Sequence, residues 1–288
     1  MKNLADIGVI KDVMSRHGFS FSKALGQNFI VNPGLCPEIA RLGGAREGVC
    51  ALEIGAGIGV LTKELAQRAD KVVSIEIDNR LLPVLDETLG EYENVTIINQ
   101  DVLKADLHGI IRDNFGSAPF VVCANLPYYI TSPVIMKLLE SGIGAESITV
   151  MVQKEAAVRL CAEVGSRDAG AVSVAVSYYA EAKKMIDVSK GSFMPQPKVD
   201  SAVIRLDVRN QPPISVKDEK FFFAMIKAAF AQRRKTAANS ISSGLHIDKD
   251  TVTKAVENAG LSPTVRPESL TMQQLGEVNN QLYILTEH

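Results

Sequence analysis

The four residues Asn125-Leu126-Pro127-Tyr128, which follow the apolar run 120–124, suit chemistry on the exocyclic amine of a nucleobase. The lone pair of such an amine is delocalised into the ring, so the amine is a poor nucleophile. The amide oxygen of Asn125 and an adjacent backbone carbonyl can each accept one N–H of this amine. These two hydrogen bonds turn the lone pair of the nitrogen towards a methyl group that is to be transferred. Pro127 restricts Leu126 to an extended conformation, which would hold that carbonyl in place.

Tyr128 adds an aromatic face on which a flipped base can stack, worth about 1–3 kcal/mol. A strong general base is not required, because the product of the transfer is itself acidic and alignment carries the rate. The alternative is a proline turn followed by two core tyrosines. The stretch predicts methyl transfer to a base amine, with Asn125, Leu126, Pro127 and Tyr128 as the catalytic residues.

A glycine-rich loop indicates the cofactor. Glu53, Gly55, Gly57 and Gly59 lie between an apolar strand pattern and a helical pattern. Glycines here permit a tight turn and let backbone N–H groups approach a ligand. The spacing is one residue shorter than that of dinucleotide-binding loops, and the acidic residue suits a ligand with a cationic end better than a pyrophosphate. The loop therefore favours S-adenosylmethionine over a nicotinamide dinucleotide.

Two further acidic residues end the next two predicted strands. Glu76 follows Gly59 by 17 residues, at the position where such folds bind a ribose. Asp101 ends the third strand, where its carboxylate could accept from the adenine amine. The alternative for each is a strand-end residue that caps the following helix. The carboxyl ends of parallel strands form the ligand-binding edge, so we expect both residues to meet the Asn125 stretch there.

The elements that would position these residues follow an α/β pattern. Residues 49–208 alternate apolar strands with helical segments, which predicts βαβ units and a mostly parallel sheet covered on both faces. The last two strand candidates, 171–188 and 201–208, are joined by a proline-rich loop, which predicts an antiparallel edge. After the linker 209–219 the pattern becomes helical. We therefore predict two domains, an α/β domain over 1–208 that carries the catalytic residues and a helical domain over 209–288.

Composition excludes several classes of protein. With 46% hydrophobic and 22% charged residues, the chain has ordinary globular composition. No apolar run approaches the roughly 20 residues of a membrane span, and the N-terminus reads as an amphipathic helix, not a signal peptide. The four cysteines are scattered without a Cys-x-x-Cys pattern, so neither a disulfide framework nor a metal site is expected. A reducing cytoplasm and no membrane contact are the expectation.

The charge distribution suggests a polyanionic partner. Residues 183–235 contain 12 Lys and Arg against 5 Asp and Glu, a charge of +7, whereas the rest of the chain carries -9. Within this segment, Arg233-Arg234-Lys235 follows an apolar helix stripe. The cluster would contact the phosphates of a nucleic acid, which fix register without reading sequence. The alternatives are a solvated basic surface or a helix C-terminus that favours cations.

Together these elements resemble one family nearly end to end: the KsgA (RsmA) family of small-subunit rRNA adenine dimethyltransferases. One departure is Ala169-Gly170-Ala171, where relatives commonly have Tyr-Gly-x-Leu. The segments that carry the resemblance are KALGQNFIVNP, ALEIGAGIGVLT, VVSIEID, NQDVLKAD, ANLPYYITSPVIMKLL, MVQKEAAVRLCA, SFMPQPKVDSAVIRL and AAFAQRRKTAANSI.

The resemblance implies a Rossmann-like class I S-adenosylmethionine-dependent methyltransferase with a mostly parallel seven-stranded sheet and a small all-helical C-terminal domain. It implies that the enzyme acts as a monomer on two adjacent adenosines near the 3′ end of 16S rRNA, each taking two methyl groups, with a role in small-subunit biogenesis. The implied cofactor contacts are Asn28, Ile30, Gly55, Gly57, Glu76, Asp101 and Asn125, with Gln27 beside the pocket. Tyr128 and Phe193 would face the target base from its two sides.

Other readings of the sequence stay open at this stage. A related enzyme could methylate large-subunit rRNA, as the macrolide-resistance methyltransferases do, although the C-terminal domain and its basic run favour the small subunit. A non-catalytic assembly factor that keeps the fold is disfavoured by the intact Asn125 to Tyr128 stretch. A nicotinamide oxidoreductase is disfavoured by the glycine spacing.

Overall fold

The computed structural model describes residues 3–19, 26–232 and 234–286. Contacts within the chain divide it into two compact units. The first comprises Met1–Ala157 with Ala182–Val208, and the second comprises Val158–Glu181 with Arg209–His288. The second unit thus contains residues 158–181, which lie within the predicted catalytic domain, as well as the predicted helical domain.

The chain alternates strands and helices as far as residue 208 and is helical after it. In chain order the elements are α1 (Ile7–Arg16), β1 (Phe29–Ile30), α2 (Leu35–Leu42), β2 (Cys50–Ile54), α3 (Val60–Ala66), β3 (Val72–Glu76), α4 (Leu82–Leu89), β4 (Val95–Asn99), α5 (Leu107–Phe115), β5 (Phe120–Asn125), α6 (Thr131–Glu140), β6 (Ser147–Gln153), α7 (Lys154–Leu160), α8 (Ala171–Tyr179), β7 (Ala180–Val188), β8 (Phe193–Met194), β9 (Ser201–Val208), α9 (Glu219–Ala229), α10 (Ala237–Leu245), α11 (Lys249–Asn258) and α12 (Met272–Leu285).

The first unit is built on a seven-stranded sheet with the order β4-β3-β2-β5-β6-β9-β7. Neighbouring strands from β4 to β6 are parallel, and β9 runs antiparallel to β6. All residues of β2 and β3 are buried, as expected for central strands covered on both faces. The chain runs from β2 to β3 and β4 on one side and then crosses back to β5 on the other side of β2, so a ligand crevice is expected at the carboxyl ends of these strands. The predicted Rossmann-like methyltransferase fold is confirmed.

A small two-stranded sheet brings two distant segments of the chain together beside the carboxyl ends of these strands. β1 pairs antiparallel with β8, with Phe29 opposite Met194 and Ile30 opposite Phe193. The N-terminal segment and the proline-rich loop before β9 are therefore held against each other by backbone pairing. This places Ile30 and Phe193 side by side, although 163 residues separate them in the sequence.

The prediction of a single strand over residues 171–188 is wrong for its first half. Residues 171–179 form α8, and β7 begins only at Ala180. The alternation of valine and serine in α8 suggests a strand, yet Val174 and Tyr178 pack into the core of the second unit together with Phe222. Tertiary packing thus overrides the β-propensity of the valines.

The second unit is a bundle of helices around one apolar core. Its buried side chains come from α8 to α12, and Phe222 and Met225 on α9 are fully buried. α9 and α10 approach closely because Gly244 faces Ala228: a Cβ at Gly244 would lie 2.5 Å from the Ala228 Cβ. Among the described residues, no helix has the length and hydropathy that a membrane crossing requires.

We predict that Gly244→Ala destabilises the second unit. The added methyl group must push α9 and α10 apart, at a cost of about 1–3 kcal/mol that exceeds the roughly 1 kcal/mol gained in helix propensity. Thermal and urea unfolding should show a lower midpoint. Gly170→Ala is the matched control, because Gly170 has extended backbone and its Cβ would meet nothing within 4 Å. Equal stability of the two variants would contradict this account of the α9–α10 contact.

Candidate active site

A cavity of about 310 Å³ opens at the carboxyl ends of the central strands. Such a volume is typical of small-molecule sites. Five segments form most of its wall: the N-terminal segment 26–30, the glycine loop 54–58, the ends of β3 and β4 with their following residues 75–77 and 100–103, and the turn 125–130. Phe193 completes the lining.

The structure brings most of the predicted site residues into this one cavity. Those that line it are Asn28, Ile30, Gly55, Gly57, Glu76, Asp101, Asn125, Leu126, Pro127, Tyr128 and Phe193. Arg234 and Lys235 lie in the second unit instead. Arg233 lies outside the described residues.

The glycine loop has the backbone conformation that its glycines allow. Gly55, Gly57 and Gly59 have φ values of +84°, +59° and +89°, in the left-handed region that other residues rarely adopt. A Cβ at Gly55 would lie 3.8 Å from the Asn125 carbonyl oxygen, so the loop lies directly beside the end of β5. The loop therefore presents backbone, with little side chain, to the cavity.

Glu76 fixes this loop to the end of β3. Its Oε2 accepts the Gly57 N–H at 2.9 Å, and its Oε1 accepts the Asp78 N–H at 2.9 Å. Burial raises the pKa of this carboxyl, and the two backbone donors act in the opposite direction. The side chain is 5% exposed and lines the cavity, so a ligand hydroxyl would meet a carboxylate held in one orientation.

Glu53 does not lie where the sequence argument expected an acidic neighbour for the ligand. It is fully buried and is not part of the cavity wall. Its Oε2 accepts from the Thr62 hydroxyl at 2.6 Å, which ties β2 to α3. Burial raises the pKa of Glu53 from 4.5 to about 7. Its visible role is structural, so Glu53 does not support the sequence argument for a ligand with a cationic end.

Asp101 has both features that the sequence suggested for an acidic residue at a strand end, a capping hydrogen bond and a position in the cavity wall. Its Oδ1 accepts the Leu103 N–H at 2.9 Å, so it caps the turn after β4, and it also lines the cavity. The same loop is held from the other side, because the Lys137 ammonium donates to the carbonyls of Leu103 and Ala105 at 2.8 and 3.1 Å. Lys137 lies on α6, so the helix that follows the turn after β5 also supports the Asp101 loop.

Hydrogen bonds also fix the N-terminal segment over the cavity. Gln27 Nε2 donates to Asp78 Oδ2 at 2.8 Å, and Asn28 Nδ2 donates to the Gly26 carbonyl at 3.0 Å. A Cβ at Gly26 would lie 3.3 Å from the Pro127 Cβ. The segment is thus joined to the turn after β3 at one side and packs against the turn after β5 at the other.

The turn after β5 is rigid, and its amide is available. The Pro127 carbonyl accepts from the Ile130 N–H at 3.1 Å and from the Thr131 hydroxyl at 3.2 Å, which closes the turn before α6. The Asn125 side-chain amide lines the cavity and makes no hydrogen bond to any described residue. Both its donor and its acceptor are therefore available to a ligand.

Tyr128 is oriented by a residue that the sequence analysis missed. Its hydroxyl lies 2.7 Å from the Ser201 hydroxyl, and burial raises the pKa of the phenol. Ser201 begins β9 and is fully buried. Nothing in the local sequence marks it, because the contact depends on the antiparallel pairing of β9 with β6.

Exposed apolar side chains at the cavity mouth were also missed. Ile77, Leu103 and Tyr129 line the cavity and are 54%, 38% and 61% exposed. The sequence contains a feature that could have indicated Ile77 and Leu103 as cavity residues, since each is a large apolar residue just after a strand-end carboxylate. Such side chains suit the flat faces of a nucleoside or base.

Known proteins resemble this chain over almost its whole length. The sequence model of the family described as ribosomal RNA adenine dimethylase matches residues 18–275. The Ribosomal RNA small subunit methyltransferase A of Oceanobacillus iheyensis is 47% identical over 286 residues, which cover 98% of this chain and 97% of the relative. The protein of the same name from Geobacillus thermodenitrificans is 47% identical over 285 residues, with the same coverage.

Two solved structures share the fold. The 23S rRNA methyltransferase ErmE superposes with a TM-score of 0.67 at 28% identity, over 88% of this chain and 99% of that one. A dimethyladenosine transferase from Plasmodium falciparum gives a TM-score of 0.70 at 23% identity, over 87% of this chain and 95% of that one. These structures support the fold described above.

We predict that Glu53 makes the first unit less stable as the pH rises. The folded chain holds the Glu53 proton up to about pH 7, whereas the unfolded chain releases it near pH 4.5, so stability is lost between these values. Between pH 5.5 and 8.5 the loss should be about 2 kcal/mol in urea unfolding. Glu53→Gln should remove this part of the pH dependence. Equal losses in the two proteins would contradict the assignment.

Proposed function

Because the chain belongs to the ribosomal RNA adenine dimethylase family, we propose that the cavity at the carboxyl ends of the sheet is its active site. The protein is an S-adenosylmethionine-dependent rRNA adenine-N6,N6-dimethyltransferase. Its substrate is 16S rRNA in the small ribosomal subunit, in which it dimethylates two adjacent adenosines near the 3′ end. The juxtaposition of the unpaired Asn125 amide with the glycine loop and Glu76 supports this assignment of the site.

The residues of the cavity fit S-adenosylmethionine. The glycine loop leaves the space that side chains would occupy, since a Cβ at Gly57 would lie 3.5 Å from the Phe29 ring. A carboxylate, Glu76, suits two ribose hydroxyls, and a second carboxylate, Asp101, suits an exocyclic amine. When bound, this cofactor supplies an electrophilic methyl group.

We assign the cofactor-binding roles by region of the cavity. Gly55 and Gly57 approach the methionine portion through their backbone, and Asn28 and Ile30 cover the cofactor from the N-terminal segment. Glu76 accepts from the ribose hydroxyls, and Asp101 accepts from the adenine amine. Each of these residues lines the cavity.

Asn125 prepares the target amine for transfer. Its amide oxygen accepts one N–H of the adenine amine, and an adjacent backbone carbonyl of the Leu126-Pro127 turn accepts the other. The nitrogen then becomes pyramidal and its lone pair points towards the methyl group. The hydrogen bonds that Pro127 accepts from Ile130 and Thr131 keep the turn in place, so that little reorganisation is needed when the base arrives.

Two aromatic residues hold the target base. Tyr128 stacks on one face, and its hydrogen bond to Ser201 fixes the plane of the ring. Phe193 faces the base from the other side. It is 5% exposed, and its backbone pairing with Ile30 in the two-stranded sheet of β1 and β8 holds it in place. A flipped adenosine is thereby presented to the cofactor by its edge.

The second unit serves as the RNA-binding domain in this proposal. Arg233, Arg234 and Lys235 contact rRNA phosphates, and binding to small subunits also gives the protein a role in their biogenesis. We propose that the enzyme acts as a monomer, as the family resemblance implies. We further propose a cytoplasmic location, consistent with the buried free thiols of Cys36, Cys50 and Cys123.

Methylation of large-subunit rRNA is the competing activity, since ErmE carries it out on a similar fold. Sequence identity to the relatives of each kind favours methylation of small-subunit rRNA. Relatives named for the small subunit are 47% identical to the chain, whereas ErmE is 28% identical. The products formed on isolated subunits test the choice directly.

We predict that Asn125→Ala abolishes methyl transfer and leaves RNA binding nearly intact. Loss of the amide oxygen leaves the amine planar, so the rate should fall by at least 10²–10³-fold. The assay incubates unmethylated small subunits with labelled S-adenosylmethionine and identifies nucleosides by mass spectrometry. Wild-type protein should form dimethyladenosine in the 3′-terminal rRNA fragment. Asn258→Ala, which removes an exposed amide on α11 outside the cavity, is the control variant; a parallel loss of RNA affinity and transfer in Asn125→Ala would defeat the assigned role.

We also predict a change in salt dependence when the basic cluster is removed. Replacing Arg233, Arg234 and Lys235 together by alanine should weaken subunit binding and flatten its dependence on salt, by about one unit of slope per lost phosphate contact. A triple alanine variant at the exposed Lys220, Lys249 and Lys254 of the second unit removes the same number of charges and controls for net charge. If both variants keep the wild-type slope, the cluster does not face RNA.

A further inference from the structure

A second cavity lies within the second unit, away from the residues assigned to the reaction. Its volume is about 640 Å³, larger than that of the active-site cavity. The residues 167–172, the end of α9 and the turn Pro267–Ser269 contribute to its wall. Small side chains, Ala169 and Ala171, line it where larger ones would fill the space.

Three cationic side chains surround this cavity. Arg159, Arg167 and Lys227 line it, come from three separate segments, and are all exposed. None of the three forms an ion pair within the part of the chain that the structure describes. Three unpaired cations around one cavity repel each other, and an anion bound among them would remove that repulsion.

The two carboxylates in the wall, Asp168 and Glu268, form no ion pair with these cations among the described residues, and the three cations and two carboxylates together keep a formal charge of +1. Glu268 lies 3.9 Å from Arg266, so its charge is balanced outside the group of three. Asp168 is exposed beside Arg167. The first turn of α8, whose N-cap Gly170 offers no side-chain cap, adds the positive end of a helix dipole to the wall. The cavity and its cations define the site, and the helix end only adds to its potential.

The remaining walls are suited to more than an inorganic anion. Phe230, Val172 and Pro267 supply apolar surface, and Asp168 supplies an acceptor for a hydroxyl or a base N–H. A nucleotide has a group for each of these surfaces. Its phosphate would contact the cations, a ribose hydroxyl or base edge would donate to Asp168, and its base would pack against Phe230. RNA presents these groups together in each nucleotide, and its 2′-hydroxyl distinguishes it from DNA.

We propose that this cavity binds a nucleotide of the RNA substrate, at a site distinct from the target adenosine. Its phosphates lie on Arg159, Arg167 and Lys227, and its base or ribose enters the space beside Ala169 and Phe230. The inference rests on the proposed function in one respect, that the protein acts on RNA. The second unit then holds the RNA by shape and charge while the first unit carries out the transfer.

The test fills the cavity and, separately, removes its cations. Ala169→Tyr occupies the space without changing charge, and Ala169→Ser is its matched control. Arg167→Ala/Lys227→Ala removes two cations, and Lys254→Ala controls for an exposed lysine of the same unit outside the cavity. Affinity for unmethylated small subunits is measured over a range of salt concentrations, and thermal unfolding confirms that each variant folds.

Ala169→Tyr and Arg167→Ala/Lys227→Ala should each lower the affinity about tenfold, and the double variant should flatten the salt slope by about two. Ala169→Ser and Lys254→Ala should bind like wild type, and binding of S-adenosylmethionine should not change in any variant. Wild-type affinity and slope in both cavity variants would overturn the proposal. A free nucleotide, GMP, is titrated in parallel; tight GMP binding that Ala169→Tyr removes, with subunit binding unchanged, would assign the cavity to a free nucleotide and also overturn it.

Methyl transfer by the wild-type protein in the same preparations separates this proposal from the proposed function. Transfer with no effect of the cavity variants on binding would refute the cavity alone. Subunit binding that depends on the cavity, with no transfer by the wild-type protein, would refute the enzymatic function alone.

Discussion

The site depends on one carboxylate that joins two strand ends. Glu76, at the end of β3, accepts the backbone N–H of Gly57 in the loop after β2 and that of Asp78 in its own turn. The loop can approach because Gly57 has a positive φ and no side chain. With this pair of hydrogen bonds in place, the glycine loop, the β3 turn and, through Gln27, the N-terminal segment share one fixed geometry.

In the proposed mechanism, the same geometry allows the poorly nucleophilic adenine amine to react without a strong general base. The Asn125 carbonyl lies close to the glycine loop. In the proposed mechanism the cofactor and the target amine therefore meet at the end of β5. The amide of Asn125 is unpaired among the described residues, whereas its supporting turn is fully hydrogen-bonded at Pro127. A rigid turn that carries an available amide provides alignment, and alignment is the main requirement of this transfer.

Much of this architecture could be predicted from the sequence, because it depends on local patterns. Alternating strands and helices predicted the sheet, and strand-end residues such as Glu76, Asp101 and Asn125 do line one cavity. The strand ends of a parallel sheet converge regardless of side-chain detail, so such predictions need no tertiary information.

The failures have tertiary causes. Glu53 has the sequence position of a ligand contact, yet it faces α3 and binds Thr62. Residues 171–179 have β-branched composition, yet they pack as a helix on Phe222. Ser201 reaches Tyr128 only through the antiparallel register of β9. In each case a contact across the fold decides the outcome, and no local pattern encodes it.

The central claim is that Asn125 receives an adenine amine beside the cofactor. A structure of the protein on an unmethylated small subunit, with a non-reactive analogue of S-adenosylmethionine bound, tests it directly. The account predicts one flipped adenosine with its N6 about 3 Å from the Asn125 amide oxygen and its ring stacked on Tyr128. An adenosine bound with its N6 away from Asn125, or with the Asn125 amide directed to the cofactor alone, would contradict it.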